Sequence, residues 1–473
     1  MRFSIFFLLL NYILACTIQA QTELAFEAPE KQRVFVLTDI TNEPDDQQSL
    51  VRLLVYSNEF DIEGIVATTS THLRNQTRKD KIEELVRNYG KVKPNLEKHA
   101  EGFPSMEYLL DITSEHLPLF SMEGVGEGKD SPGSELLIKA VDKQDDRPLW
   151  ISVWGGANCL AQALWKVKNT RSAEEVDAFV AKLKVYTISD QDFSGPWIRH
   201  EFPSIFFIVD ASAGDSWFEY YRATWTGIAG DRWYKNGPGY QFELVDNPWL
   251  RENIMENHGP LGANYLESDY IMEGDTPSFI GLIQNGLAWY KSPAFGGWGG
   301  RYELYRSYGE KDAIWTSSVN TQDEIILPEG RAEASNQATI WRWREGYQHD
   351  FAARMDWNIA ENLEDANHNP VVVLNGNEGH ALATAEVKAG EEVHLNAAGS
   401  HDPDGDALSY NWFLYREIGQ FSGDLRLRNN DREEMRFIMP ELKKGQDLHL
   451  ILEVKDDGDP ALFSYRRIVL NNP

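Results

Sequence analysis

Short apolar runs alternate with amphipathic stretches through the first half of the chain. "RVFVLT" (33–38) precedes "DDQQSLVRLLVYS" (45–57), where Leu50, Leu53, Leu54 and Ser57 recur at helical spacing. The alternation continues through strand-like "IEGIVATT" (62–69), helical "TRKDKIEELVRNYG" (77–90) and strand-like "PLWISVWGG" (148–156). Helical "NCLAQALWKVK" (158–168) and "SAEEVDAFVAKL" (172–183) come next, then strands "KVYTIS" (184–189) and "SIFFIVD" (204–210). Such β/α alternation predicts an α/β domain over 30–361, with a mostly parallel sheet and helices on both faces. Residues 211–335 are irregular and rich in Trp, Gly and Pro, as loops that shape a site are, and "ATIWRWREGYQHDFAARMDW" (338–357) predicts a long closing helix. The texture changes after "NLEDANHNP" (362–370), which predicts a linker. "PVVVLNG", "EEVHLNAAGS", "LSYNWFLY", "HLILEVKD" and "YRRIVLNN" then read as short strands of a small all-β, Ig-like sandwich over 371–473.

Composition narrows the function classes. Of 473 residues, 42% are hydrophobic, which describes a globular chain. The formal charge of −29 argues against nucleic acid and anionic membrane surfaces, which need clustered Lys and Arg, and leaves neutral sugars or cations as ligands. "MRFSIFFLLLNYILACTIQA" (1–20) has Arg2, an apolar run too short to span a bilayer, then small residues, the pattern of a secretory signal peptide. A secreted or periplasmic protein is expected; "ILAC", ending at Cys16, also resembles a lipoprotein box, the alternative being a lipid anchor there. Once the leader is removed only Cys159 certainly remains, so no internal disulfide is expected.

The acids of "VFVLTDITNEPDDQQSLVRLL" (34–54) carry the chemistry. Asp39 falls at the carboxyl end of a strand, where ligands bind in open α/β sheets. Pro44 suits a first helical turn, and Asp45 and Asp46 then meet the favourable end of the helix dipole. Capping accounts for one of that pair and leaves Asp39 unexplained. Carboxylates converging on a strand end fit a hard cation, typically calcium, or sugar hydroxyls. Asn42 and Glu43 share the turn, Asn42 as a substrate contact. In "SDQDFSGPWIRHEF" (189–202), expected to be a loop at the same sheet edge after strand "KVYTI", Asp192 and Trp197 are candidates for sugar contact by hydrogen bonding and stacking. His258 in "ENHGPLGANY" is a candidate acid for a leaving group, and Trp298 sits between glycines where a backbone can approach a ligand. Asp402, Asp404 and Asp406 alternate like calcium-loop ligands, but Asp-Pro-Asp-Gly is also an ordinary turn, and the turn reading is favoured.

The acidic turn resembles the calcium-binding signature of the nucleoside hydrolase family, whose Asp-rich loop comes after the first strand. "GIVATTSTHLRN", "WGGANCLAQAL", "HEFPSIFFIVDASAG" and "GDTPSFIGLI" are similar, in the same order, to further segments of that family. The resemblance implies a metal site through Asp46, Asp275 and the Ala157 carbonyl, with Asp39 or Glu43 contributing, and puts Glu201 on a sugar hydroxyl. It also shows departures. Thr41 falls where the family has a calcium-binding aspartate that serves as general base, and Pro203 where it has a ribose-contacting asparagine. The base role would pass to Asp39 or Glu43, ahead of Asp45. Longer segments, including "FGGWGGRYE" and "HGPLGANYLESDYIMEGDTPSFIGLIQNGL", resemble exported bacterial proteins described as cellulose-binding, with a nucleoside-hydrolase-like domain and a C-terminal Ig-like domain. The resemblance therefore implies an exported hydrolase of N- or O-glycosidic bonds in plant or algal carbohydrate, the alternative being a non-catalytic polysaccharide-binding protein.

Overall fold

Residues 32–38 explain the centre of the molecule. Every one is buried, and they alternate between two cores: Val34 and Val36 enter one, Phe35 and Leu37 the other. A strand buried on both faces belongs in a parallel sheet covered on both sides. The computed structural model, which describes residues 21–210, 223–229 and 241–473 apart from 308, 328–329 and 420, has that sheet. The leader expected at 1–20, with Cys16, and part of the irregular 211–335 region lie outside the described residues.

The strands are β1 (Ala25–Glu27), β2 (Gln32–Thr38), β3 (Phe60–Ala67), β4 (Thr113–Glu115), β5 (Leu149–Val153), β6 (Leu183–Thr187), β7 (Phe206–Val209), β8 (Glu303–Tyr305) and β9 (Ile314–Thr316). The large sheet runs β4-β3-β2-β5-β6-β7-β9-β8, parallel except for β8 against β9. On one face α1 (Pro44–Val55) and α2 (Lys79–His99) bury Leu50, Leu54, Ile82 and Leu85. On the other, α4 (Pro132–Asp142) and α5 (Asn158–Thr170) bury Leu137, Leu160 and Leu164, followed by α6 (Ala173–Ala181) and α7 (Ser194–Glu201). The short α3 (Met106–Asp111) precedes β4. After β2 the chain steps one way to β3 and β4, then crosses to β5 on the other side. The gap between β2 and β5 is therefore the topological switch point, the expected place for a ligand.

The C-terminal part packs a large sheet, the pair Glu392–Asn396 and Glu434–Ile438, and a short hairpin of Val373–Leu374 and Asn377–Glu378 around Val393, Leu395, Trp412, Phe437, Leu450 and Leu452. The larger sheet contains Leu382–Glu386, Phe463–Asn471, Leu448–Lys455 and Ser409–Leu414, and its outer strand is β1, from the other end of the chain. Backbone bonds stitch it to the α/β part: the Tyr465 amide donates to Asn285 O (3.1 Å) and the Arg467 amide to Gly286 O (3.0 Å). Asp323 lies in the same seam and receives Arg301 (2.8 Å), Arg342 (2.9 Å) and the Tyr415 hydroxyl (2.5 Å). Trp298, expected near a ligand, is instead 2% exposed and packs edge-on against Tyr347 and Tyr465, both at 6.4 Å between ring centroids. Of the glycines beside it, Gly296 faces this seam, where a Cβ would lie 2.3 Å from the Tyr415 hydroxyl. Among the described residues no helix is long and apolar enough to cross a membrane.

Candidate functional site

The turn after β2 is bent by a residue unsuited to bend it. Thr41 has φ 86°, a left-handed conformation that a β-branched side chain rarely adopts. Its hydroxyl accepts from Arg78 Nη1 at 3.4 Å. Two residues on, Glu43 occupies the N-cap of α1 but makes no side-chain cap bond, so its carboxylate is left to the cavity it lines.

That cavity has a volume of about 30 Å³ and is walled by Asp39, Asn42, Glu43, Asp45, Asp46, Asp275, His72, Trp154, Ser189 and Gln191, with Trp225 and Ile271. Asp39 comes directly after β2 and takes the Ser70 hydroxyl on Oδ2 at 2.5 Å. A Cβ at Gly155 would lie 2.3 Å from Asp39 Oδ1, and one at Gly156 2.5 Å from Asp192 Oδ2, so the paired glycines after β5 are what let both carboxylates approach. Asp46 Oδ1 accepts the Thr38 hydroxyl. Asp275 is held by the loop beneath it: the buried Glu273 receives Arg52 at 2.5 and 3.0 Å, Tyr265 at 2.7 Å and Thr276 at 2.8 Å.

Asp45, Asp46 and Asp275 each offer an oxygen, all within 4.8 Å of one another, an arrangement that could hold a metal ion. Asp275 Oδ2 is buried with no hydrogen-bond partner among the described residues. Burial pushes Asp45, Asp46 and Asp275 well above the ordinary carboxylate range, and repulsion from the neighbouring acids adds to it. Burial also raises Asp39, against the Ser70 hydrogen bond, and Glu43, against the nearby His72. Five of these acids face one histidine, and among the described residues no Lys or Arg lines the cavity. A cation is the charge this wall lacks.

The structure thus brings together Asp39, Asn42, Glu43, Asp45, Asp46 and Asp275. It does not bring the other candidates to the cavity. Asp192 is buried behind Gly156, its Oδ1 capping the Ser194 amide at 2.8 Å and its carboxyl pushed up to about 6 by burial. Trp197 and Glu201 were expected in a loop, but Ser194–Glu201 is helix α7. With Ile198 turned into the core, Trp197 packs against Phe202 (6.0 Å) and Glu201 pairs with Lys168 on the exposed surface. His258 is buried with Nε2 3.1 Å from Asp356 of the helix Arg344–Trp357, so it anchors a loop there. Ala157 is the N-cap of α5, and its carbonyl accepts the Ala161 amide at 2.9 Å. The C-terminal acids form the turn: Asp402 Oδ1 accepts the amides of Asp404, Gly405 and Asp406 at 2.8, 3.1 and 3.2 Å.

His72, Ser189 and Gln191 line the cavity without having stood out in the sequence. His72 is exposed and lies near Asp39 and Glu43. The available signal was its place at the carboxyl end of β3, beside β2.

A mostly parallel sheet with a carboxylate cavity at its switch point, joined to a β domain, defines a nucleoside-hydrolase-like protein with a C-terminal extension. Residues 33–302 match the family described as "Cellulose-binding Sde182, nucleoside hydrolase-like domain", and 392–472 match "Cellulose-binding protein Sde0182, C-terminal domain". The chain belongs to this cellulose-binding Sde182 family. A nucleoside hydrolase-related hypothetical protein from Saccharophagus degradans, described as associated with carbohydrate metabolism, is 36% identical. It superposes with a TM-score of 0.79 over 94% of this chain and 100% of its own. The effector protein XOO4466 and XopQ, the latter solved with adenosine diphosphate ribose, are 10% identical, with TM-scores of 0.30 and 0.32 over 70% of this chain and 94% of theirs. They are too distant to bear on the site. No curated protein matches the chain.

Proposed function

We propose that the protein is an exported hydrolase of glycosidic bonds, N- or O-linked, in plant or algal carbohydrate, working through a calcium-loaded carboxylate site. One observation carries the reading: several buried acids with raised proton affinity converge on one cavity, and the buried Asp275 Oδ2 has no partner among the described residues. Hard carboxylate oxygens are what calcium takes, so Asp45, Asp46 and Asp275 fit the ion. When bound, calcium would orient sugar hydroxyls and make a nearby water more acidic.

The chain's own residues supply the rest. Asp39 or Glu43, each with a proton affinity raised by burial, removes a proton from a water molecule as the water's oxygen bonds to the anomeric carbon. The bond to the leaving group breaks, and His72 returns a proton to the departing atom. Asp46, oriented by Thr38, and Asp275, fixed by the Glu273 network, keep their oxygens in place throughout.

Thr41 favours a second reading, a polysaccharide-binding protein without turnover, because the related enzymes' base position carries a hydroxyl turned to Arg78. The two separate by experiment. Purified protein with calcium should release reducing sugar from a member of a broad glycan panel, and Asp46→Ala should abolish the release. Retention on a glycan without any turnover would establish the binding reading instead.

A further inference from the structure

The carboxylate cavity is small, about 30 Å³, so most of an oligosaccharide whose anomeric carbon meets these acids lies beyond them. Ile271 is common to the wall of this cavity and to a neighbouring cleft of about 580 Å³. That volume lies within the range of about 300–1,000 Å³ usual for small-molecule sites.

We infer that this cleft binds a further sugar unit of a neutral oligosaccharide or polysaccharide, with Tyr270 as its stacking face and Asp246 and Asp269 accepting hydroxyls. The inference rests on the glycosidase reading above. Tyr270 is 40% exposed at the rim, above the buried Ile271 and Met272. An aromatic face beside hydrogen-bond acceptors suits a sugar, whose C–H faces are apolar and whose edge carries hydroxyls. Among the described residues the lining holds two carboxylates, Asp246 and Asp269. Uronates, sulfated sugars and sugar phosphates would meet like charge there and neutral polyols would not.

The cleft is built together with the acids. Asn247 spans its two walls, donating Nδ2 to Ser268 O (3.0 Å) and accepting the Ser268 amide on Oδ1 (2.8 Å). Helix α1, whose first turn carries Asp45 and Asp46, holds the same loop. Gln47 donates to Asn264 O (2.7 Å), while Gln48 donates to Leu266 O (2.8 Å) and accepts the Glu273 amide (2.9 Å). Asp269 is near enough to Glu43 to raise that residue's proton affinity. A chain threaded from the cleft therefore meets the carboxylates at a fixed offset.

The test compares the full-length wild type with Tyr270→Ala and Tyr270→Phe on cellohexaose and on 4-nitrophenyl glucoside, which is too short to fill the cleft. Tyr270→Ala should lower the cellohexaose-to-aryl-glucoside ratio of kcat/KM about tenfold, mainly through KM, with melting temperature unchanged and Tyr270→Phe near wild type. An equal loss on both substrates, or a preference for oligogalacturonate over cellohexaose, overturns the inference. Should the wild type cleave neither glucoside, the glycosidase reading fails for these sugars, and retardation in a cellulose-derivative gel decides the cleft on its own. Weaker retardation of Tyr270→Ala than of wild type supports it, and equal retardation overturns it.

Discussion

Replacing Asp46 with Asn should reverse the order of stability between calcium and chelator. The substitution removes one charge from three carboxylates whose oxygens lie within 4.8 Å of one another. At that spacing and an effective dielectric of about 20, each ionised pair repels by about 3 kcal/mol. The acids escape part of this by retaining protons, as their raised affinities show, so a net relief of about 1–3 kcal/mol is expected in chelator. Asp46→Asn should then melt slightly above the wild type. With calcium at about a hundred times its dissociation constant, the wild type gains about 2.7 kcal/mol that the variant largely forgoes, and the wild type should melt higher. Differential scanning calorimetry at neutral pH, in EDTA and in calcium chloride, measures all four cases. If Asp46→Asn lowers the melting temperature equally in both, the residue matters for how its side chain is packed and not for its charge. A wild type indifferent to calcium would remove the ion from the proposal.

Three further outcomes are expected. His72→Ala should cost about 10²–10⁴ in kcat/KM on alkyl glycosides and far less on 4-nitrophenyl glycosides, since nitrophenolate leaves without a proton; equal losses would deny His72 the acid role. Arg52→Met strands the buried Glu273 carboxylate and should cost about 3–5 kcal/mol by urea unfolding, with much of it recovered when Glu273→Gln is added. Gly286→Ala puts a Cβ 1.7 Å from Tyr465 O at a residue with φ 93°, and should destabilise the seam by about 3 kcal/mol or more, seen as a lower melting temperature and faster proteolysis between the two parts.

Much of the α/β architecture was legible because its strands are buried on both faces and its helices on one, which leaves distinct periods in the sequence. The acidic turn was legible for a related reason: four acids within eight residues at a strand end need a counter-charge. Asp275 was reached through a matching segment and not through any local pattern. The failures share a cause. Trp298 and His258 have flanking residues that fit a binding loop, and only the fold shows that the first faces the C-terminal sheet and the second faces Asp356. Trp197 and Glu201 were misplaced because Gly195 and Pro196 read as loop, whereas Pro is well tolerated in a first helical turn. His72 carries no local mark at all; it matters because β3 lies beside β2.

Strand β1 has a consequence for how the chain is made. It forms the outer edge of a sheet whose other strands lie near the opposite end, and the nearby bond from His394 N to Thr22 Oγ1 joins residues 372 positions apart. On the ribosome this segment emerges long before Leu382–Glu386, its partner. The β domain is thus closed by residues made well ahead of it, a clasp that snaps shut only once that strand has been made. Remove the chain through residue 27, and Leu382–Glu386 becomes a bare sheet edge able to pair with other molecules. The damage would appear as aggregation of freshly made protein, well away from the carboxylates.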